Sequence, residues 1–219
     1  MKINHDLYAW RKKYNAGSLD EVLYPKDVRT RKLLKTFIQS HNFVEDGMIL
    51  CGEGGTGKTT FVELIMQDPY WQVTVLDPSG EGIDRIVGLK NTLSCVPWGG
   101  AQKHLVVCNE LSSSSSMFRE ALRGVLDDFS EVAFFIFTDN KYDKLAEQNP
   151  QVFNDERIYK LIWDDLDKAD IKKMCVEILT IENCLPETDR DWALLDALID
   201  KNYPSLRKTV AKLDVQFRK

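Results

Sequence analysis

"GMILCGEGGTGKTTFVELIMQ", residues 47–67, decides how the rest of the chain is read. "GMILCG" is a short apolar run of strand character, "GEGGTG" is a loop, and a helix is expected over 58–67. Gly52 opens and Thr59 closes a complete G-x-x-x-x-G-K-[ST] motif. Gly52, Gly54, Gly55, Thr56 and Gly57 form a loop whose backbone N–H groups can turn toward phosphate oxygens. Lys58 places a cation on the β- and γ-phosphates, Thr59 offers a hydroxyl to Mg²⁺, and Thr60 completes the phosphate-binding turn. The positive end of the following helix adds to the attraction. Motif and context agree, so ATP and Mg²⁺ are the expected ligands.

Outward from this loop, strands and helices alternate. "WQVTVLD", "KHLVVCNE", "VAFFIFTDN" and "RIYKLIW" read as four further strands, apolar and rich in β-branched residues. Helices are expected over 30–39 and in "EGIDRIVGLKNTL". "MFREALRGVLDDF" carries apolar residues at 118, 121, 122, 125, 126 and 129, the helical period. This is the pattern of an α/β domain with a mostly parallel sheet, placed at 1–164. Over 165–219 strands give way to three helical segments, starting near Asp167, near Thr188 or Asp189, and at Pro204-Ser205. They predict a small all-helical domain. The serine run 112–116 reads as a flexible loop after the third strand.

Polar residues at the strand ends complete the expected site. "LVVCNE" ends the third strand with Asn109-Glu110, where an acid pair would hold the magnesium water shell and polarise an attacking water. Glu110 suits the second task. Asn109 can hydrogen-bond a water but carries no charge, which weakens the metal site. Asp77, at the end of "WQVTVLD", follows the first helix too soon for the role. Thr138 and Asn140, ending the fourth strand, can touch the γ-phosphate or the attacking water. Arg157 precedes the fifth strand, where an arginine can reach a neighbouring subunit's nucleotide; Arg207, early in the last helix, can fold back onto the phosphates.

A net charge of −5 excludes a broadly basic nucleic-acid binder, though "RTRKLLK", "RKK" and the C-terminus are locally basic. No apolar run approaches the roughly 18 residues of a membrane helix, and "MKINHDLYAWRKKY" lacks a signal peptide's apolar core. A cytoplasmic protein without membrane contact is expected. Five cysteines, an odd number without a CxxC pair, read as buried free thiols in a reducing compartment. The three histidines are scattered and suggest no metal site.

Taken in order, these parts resemble the AAA+ ATPases, and within them the sliding-clamp loader subunits of T-even-type phages. The resemblance covers essentially the whole chain. "WRKKYNAGSLDEVLYP" is similar to the family's N-terminal peptide, which lines the adenine pocket and implies that role for Tyr14 and Tyr24. Asn15-Ala16 replaces the family's Arg-Pro. "SGEGIDRIVG" also has a family counterpart. "REALRGVLDDFSEVAFFIFTDNK" resembles the helix and strand that carry sensor 1, implying Asn140. "ERIYKLIW" aligns with the arginine-finger motif, keeping Arg157 but neither its Ser nor its Cys neighbour. "KNYPSLRKTVAKLD" is similar to the sensor-2 helix, implying Arg207, and is the most family-specific block. The resemblance implies an ATPase subunit, of a phage in its host's cytoplasm, that opens a sliding clamp and loads it at primer–template DNA. Such subunits work as oligomers with neighbouring AAA+ chains and hold DNA chiefly through its backbone. On this resemblance the chain is expected to lack the family's helical collar domain after the sensor-2 helix, and Asn109 stands in place of the usual aspartate.

Three other readings share parts of this pattern. A helicase loader has the same loop and sensors. A non-hydrolysing subunit that uses ATP as an assembly switch is favoured by Asn109 and the missing collar. A small-molecule P-loop kinase fits poorly, because it needs an arginine-rich lid over its substrate.

Overall fold

The computed structural model describes residues 9–78, 83–141 and 157–218. Its strands are β1 (Gly47–Cys51), β2 (Trp71–Leu76), β3 (Lys103–Cys108), β4 (Ala133–Asp139) and β5 (Ile158–Ile162). They form one sheet in the order β2-β3-β4-β1-β5, every pair parallel. In register, Cys51 at the end of β1 lies opposite Asp139 of β4 and Ile162 of β5. Parallel strands covered on both faces must be apolar throughout, and β1 and β4 are buried along their whole length.

The two faces separate by the strand period of two. Leu105 and Val107 of β3 and Phe134 and Ile136 of β4 face α2 (Val28–Ser40) and α3 (Lys58–Ile65), where Phe37 and Phe61 pack. Val106, Cys108, Phe135 and Phe137 face the other way, toward α4 (Ile83–Leu93) and α5 (Ser116–Phe129). The first core continues into three C-terminal helices, α6 (Lys168–Ile181), α7 (Asp189–Asn202) and α8 (Leu206–Phe217), through Ile171, Cys175, Leu195, Ile199 and Leu213. Each begins at an expected cap. Asp167 accepts from Ala169 N, Thr188 forms a reciprocal capping box with Asp191, and Ser205 accepts from Lys208 N. A short N-terminal helix, α1 (Trp10–Lys13), lies on α8: Trp10 is buried and its N–H donates to Asp214 Oδ2 at 3.0 Å.

Two expectations are corrected. The serine run is built into the fold, because every serine from 112 to 115 has a hydrogen-bond partner. Ser112 N donates to Asp139 Oδ2 at 2.5 Å, Ser113 Oγ to Glu110 O at 2.6 Å and Ser114 Oγ to Leu111 O at 2.7 Å, while Ser115 caps α5 by accepting from Phe118 N. The buried guanidinium of Arg119 adds a bond to Ser114 O at 2.5 Å. All five thiols are free, but only four are buried; Cys95 is exposed, just past the end of α4. Residues 79–82 of "SGEGIDRIVG" and all of "NPQVFNDE" (149–156) lie outside the described residues.

Candidate functional site: a phosphate-binding cleft

Parallel pairing brings the C-terminal ends of β1, β3 and β4 to one edge of the sheet, and the chain changes direction beside β1. A crevice outside such a switch point is where an α/β sheet takes a ligand. There Gly57, at φ +103°, makes the left-handed turn from which α3 starts at Lys58. Lys58 is only 5% exposed. Its Nζ donates to Gly52 O at 2.7 Å, Glu53 O at 2.6 Å and Thr56 Oγ1 at 3.4 Å. Burial pushes this ammonium below the ordinary lysine range, and the nearby Asp164 carboxylate opposes the shift. The cation is therefore folded onto its own loop, in reach of phosphates that would offer it stronger acceptors.

The loop is held from outside as well. Asp164, two residues past β5, accepts from Glu53 N at 2.6 Å. Ser205 Oγ donates to Gly54 O at 3.2 Å, Arg207 N to Gly55 O at 3.1 Å and Trp163 Nε1 to Thr56 O at 3.2 Å. Each residue from 53 to 56 thus has a peptide group tied either to the segment after β5 or to the start of α8. The sequence gives no direct sign that Asp164 touches the loop, and it marks Ser205 only as a helix start. The available signal was position: a polar residue just past an apolar parallel strand falls at the same edge as the loop.

A cavity of about 200 Å³ opens above. Gly54, Gly55, Gly57, Lys58, Thr59 and Thr60 form its floor. Glu110, Thr138 and Asn140 form the wall at the ends of β3 and β4, and Arg207 stands on the α8 side. Tyr14, Asn15 and Ala16 close it from the N-terminal segment, with Arg11 also in the lining. Gly52 and Thr56 sit in the loop behind the lining. Tyr24 is outside the lining too: its ring packs on Phe61 and Trp163, its hydroxyl donates to Leu19 O at 2.8 Å, and burial pushes its phenol up to about 12. Arg157 is remote from the cavity and pairs with Asp127 of α5.

Glu110 is fixed by its backbone. It adopts the left-handed conformation at φ +53°, with its carbonyl accepting from Ser113 N and Ser113 Oγ and its N–H donating to Thr138 Oγ1 at 3.3 Å. Its side chain is exposed at the cavity. Thr138 is buried, and its hydroxyl donates to Asn109 Oδ1 at 3.1 Å. The amide's orientation follows from that proton: Thr138 Oγ1 already accepts from Glu110 N, and Asn109 provides the oxygen its O–H needs. Asn109 is therefore a neutral group with its oxygen already engaged. For Mg²⁺ the donor set is Thr59's hydroxyl and this amide, and no cluster of three or more His, Cys, Asp or Glu suited to a metal occurs among the described residues. A hard cation held through waters calls for a carboxylate at the Asn109 position, so the residues fit a triphosphate better than they fit its metal.

The N-terminal segment is clasped to the helices beside it. Thr60 Oγ1 donates to Asn15 Oδ1 at 3.2 Å, and Arg31 of α2 donates through Nε to Pro25 O at 2.7 Å and through Nη2 to Asp170 Oδ2 at 2.9 Å. Lys13 Nζ (2.7 Å) and the Tyr14 hydroxyl both donate to Glu182 at the end of α6. These two bonds hold the Glu182 carboxyl below its ordinary range. A lowered carboxyl pKa stabilises the fold above the ordinary value near 4.5 and loses that contribution as pH falls through the lowered one. Glu182→Gln is expected to lower stability at pH 7 by about 0.5–1 kcal/mol. Thermal melting against pH should show the gap from the parent closing below about pH 4.5; a gap constant to pH 3 would remove the ionised clasp.

No protein-family model matches the chain. The chain is similar to the sliding-clamp-loader large subunit of Enterobacteria phage T4, 27% identical over 216 residues, which is 97% of this chain and 66% of that subunit. It is also similar to the replication factor C small subunits of Thermofilum pendens and Sulfurisphaera tokodaii. Each is 30% identical over 145 residues, 63% of this chain and 43% of theirs. The chain thus spans less than two thirds of the length of these relatives.

Proposed function

We propose that this chain, a relative of the sliding-clamp-loader subunits, binds ATP as a subunit of such a loader and couples that nucleotide to opening a clamp and placing it at primer–template DNA. The observation that carries the reading is the single cavity lined by the phosphate loop, Glu110, Asn140, Arg207 and the Tyr14 segment. In this reading Lys58 and the N-terminus of α3 take the phosphates, Tyr14 and Asn15 flank the base, and Asn140 contacts the γ-phosphate. Glu110 orients the attacking water. Arg207 acts on the chain's own nucleotide as part of a lid formed by 165–219. Arg157, outside the cavity, acts on the nucleotide of a neighbouring subunit after leaving Asp127. Mg²⁺ is a weakly held companion of the triphosphate.

A second reading has support from Asn109: ATP binding drives assembly without turnover. Two measurements decide. Native mass spectrometry of the tagged chain recovered from its own cells, with and without ATP, is expected to show a polymerase clamp and further loader chains in the ATP sample. A helicase, or no replication protein, would overturn the loader reading. Steady-state ATPase assay with clamp and DNA is expected to exceed that of Lys58→Ala; an equal rate would leave the assembly switch.

A further inference from the structure

We infer that Asn109 sets the cation demand of this site, so that nucleoside triphosphate binds here with little dependence on a divalent cation. The inference rests on the nucleotide-binding reading above and goes beyond it. Three observations meet at one place. Asn109 follows β3 directly, where the parallel sheet puts it beside the end of β4 and next in sequence to Glu110. Its Oδ1 accepts the Thr138 proton, and the amide's remaining strong capacity is its –NH₂, a donor pair. A cation's bound water also donates, so it meets donors and one remaining lone pair where a carboxylate would offer charge and free acceptors.

The phosphate charge has other partners. Lys58, Arg207 and Arg11 line the cavity above the phosphate loop, whose acids among the described residues are Glu110 and Glu21; Asn109 lies just outside that lining, bonded to Thr138, which is in it. Three cations against two acids leave the lining net positive before any metal arrives. Lys58 is buried, so its attraction for a phosphate is screened less than that of a surface charge. A triphosphate is therefore drawn by side-chain charge already in place, and the metal adds little to its binding. The same geometry predicts the remedy. Aspartate at 109 keeps the Thr138 bond, because a carboxylate accepts from that hydroxyl, and frees a second oxygen for metal-bound water.

The test is equilibrium binding of a fluorescent ATP analogue in excess Mg²⁺ and in EDTA, for the parent chain, Asn109→Asp, Asn109→Ala and Lys58→Ala. The parent and Asn109→Ala are expected to hold the analogue with Kd values within about threefold between the two buffers. Asn109→Asp is expected to bind at least about tenfold more tightly in Mg²⁺ than in EDTA, each decade being about 1.4 kcal/mol. A parent chain that itself loses tenfold or more in EDTA overturns the inference, whether or not Asn109→Asp folds. A parent chain that binds in neither buffer, or no better than Lys58→Ala, overturns the nucleotide-site reading instead, so the two failures are distinct.

Discussion

Lys58→Ala is expected to weaken ATP binding by about 100-fold or more while leaving the empty protein folded. Hydrogen bonds to a charged group contribute roughly 1.5–3 kcal/mol, and 1.4 kcal/mol is tenfold in affinity. The loss falls on binding because the ammonium contributes little to the empty fold. Its three acceptors belong to its own loop, and burial works against its charge. Melting of the empty protein should stay within about 4 °C of the parent, the shift that corresponds to 1 kcal/mol or less in a domain of this size. Isothermal titration with ATP, beside a thermal melt without it, separates the two effects. Binding kept within about threefold would place the phosphate site elsewhere.

Local rules made the fold legible. The strand–loop–helix around residues 47–67, the helical period of α5 and the caps at Asp167, Thr188 and Ser205 are each written in neighbouring residues. So were the residues the cavity gathers from the phosphate loop and the ends of β3 and β4. What was not legible depends on contacts between distant segments. Tyr24 belongs by sequence to the segment that lines the cavity, yet its ring packs on Phe61 and Trp163, because an aromatic ring gains more against other rings than at a wet rim. The serine run looks flexible by composition. Its place in the fold comes from the Asp139 carboxylate of another strand and from Arg119 one turn inside α5. Asp164 is one of two adjacent aspartates in the sequence, and only the sheet order sets it against the phosphate loop.

That contact makes Gly52→Ala a strongly damaging small substitution. Gly52 sits at φ +140°, where a side chain is strained, at a cost of roughly 1–3 kcal/mol. Space adds a second cost. A Cβ at 52 would overlap Asp164 Oδ1 and stand 2.5 Å from its Cγ, so the carboxylate must leave. Its departure breaks the bond from Glu53 N, worth roughly 1.5–3 kcal/mol for a charged acceptor. Together the two reach about 2.5–6 kcal/mol, a large part of the 5–15 kcal/mol that holds an ordinary domain. A double-mutant cycle separates them. Asp164→Ala removes the obstructing oxygens but not the backbone strain, so Gly52→Ala should cost about 1–3 kcal/mol on the Asp164→Ala background, against about 2.5–6 in the parent. Urea unfolding of the four proteins measures both numbers. An equal cost on the two backgrounds would mean that the carboxylate yields freely and that backbone strain alone governs the loop. A smaller cost on the second would show that the phosphate loop and the segment leading into α6 are one mechanical unit. Phosphate binding at Lys58 would then have a direct path to Tyr203, whose hydroxyl donates to the peptide oxygens of Asp164 (3.2 Å) and Leu166 (3.0 Å), and through it to the start of α8, where Arg207 waits.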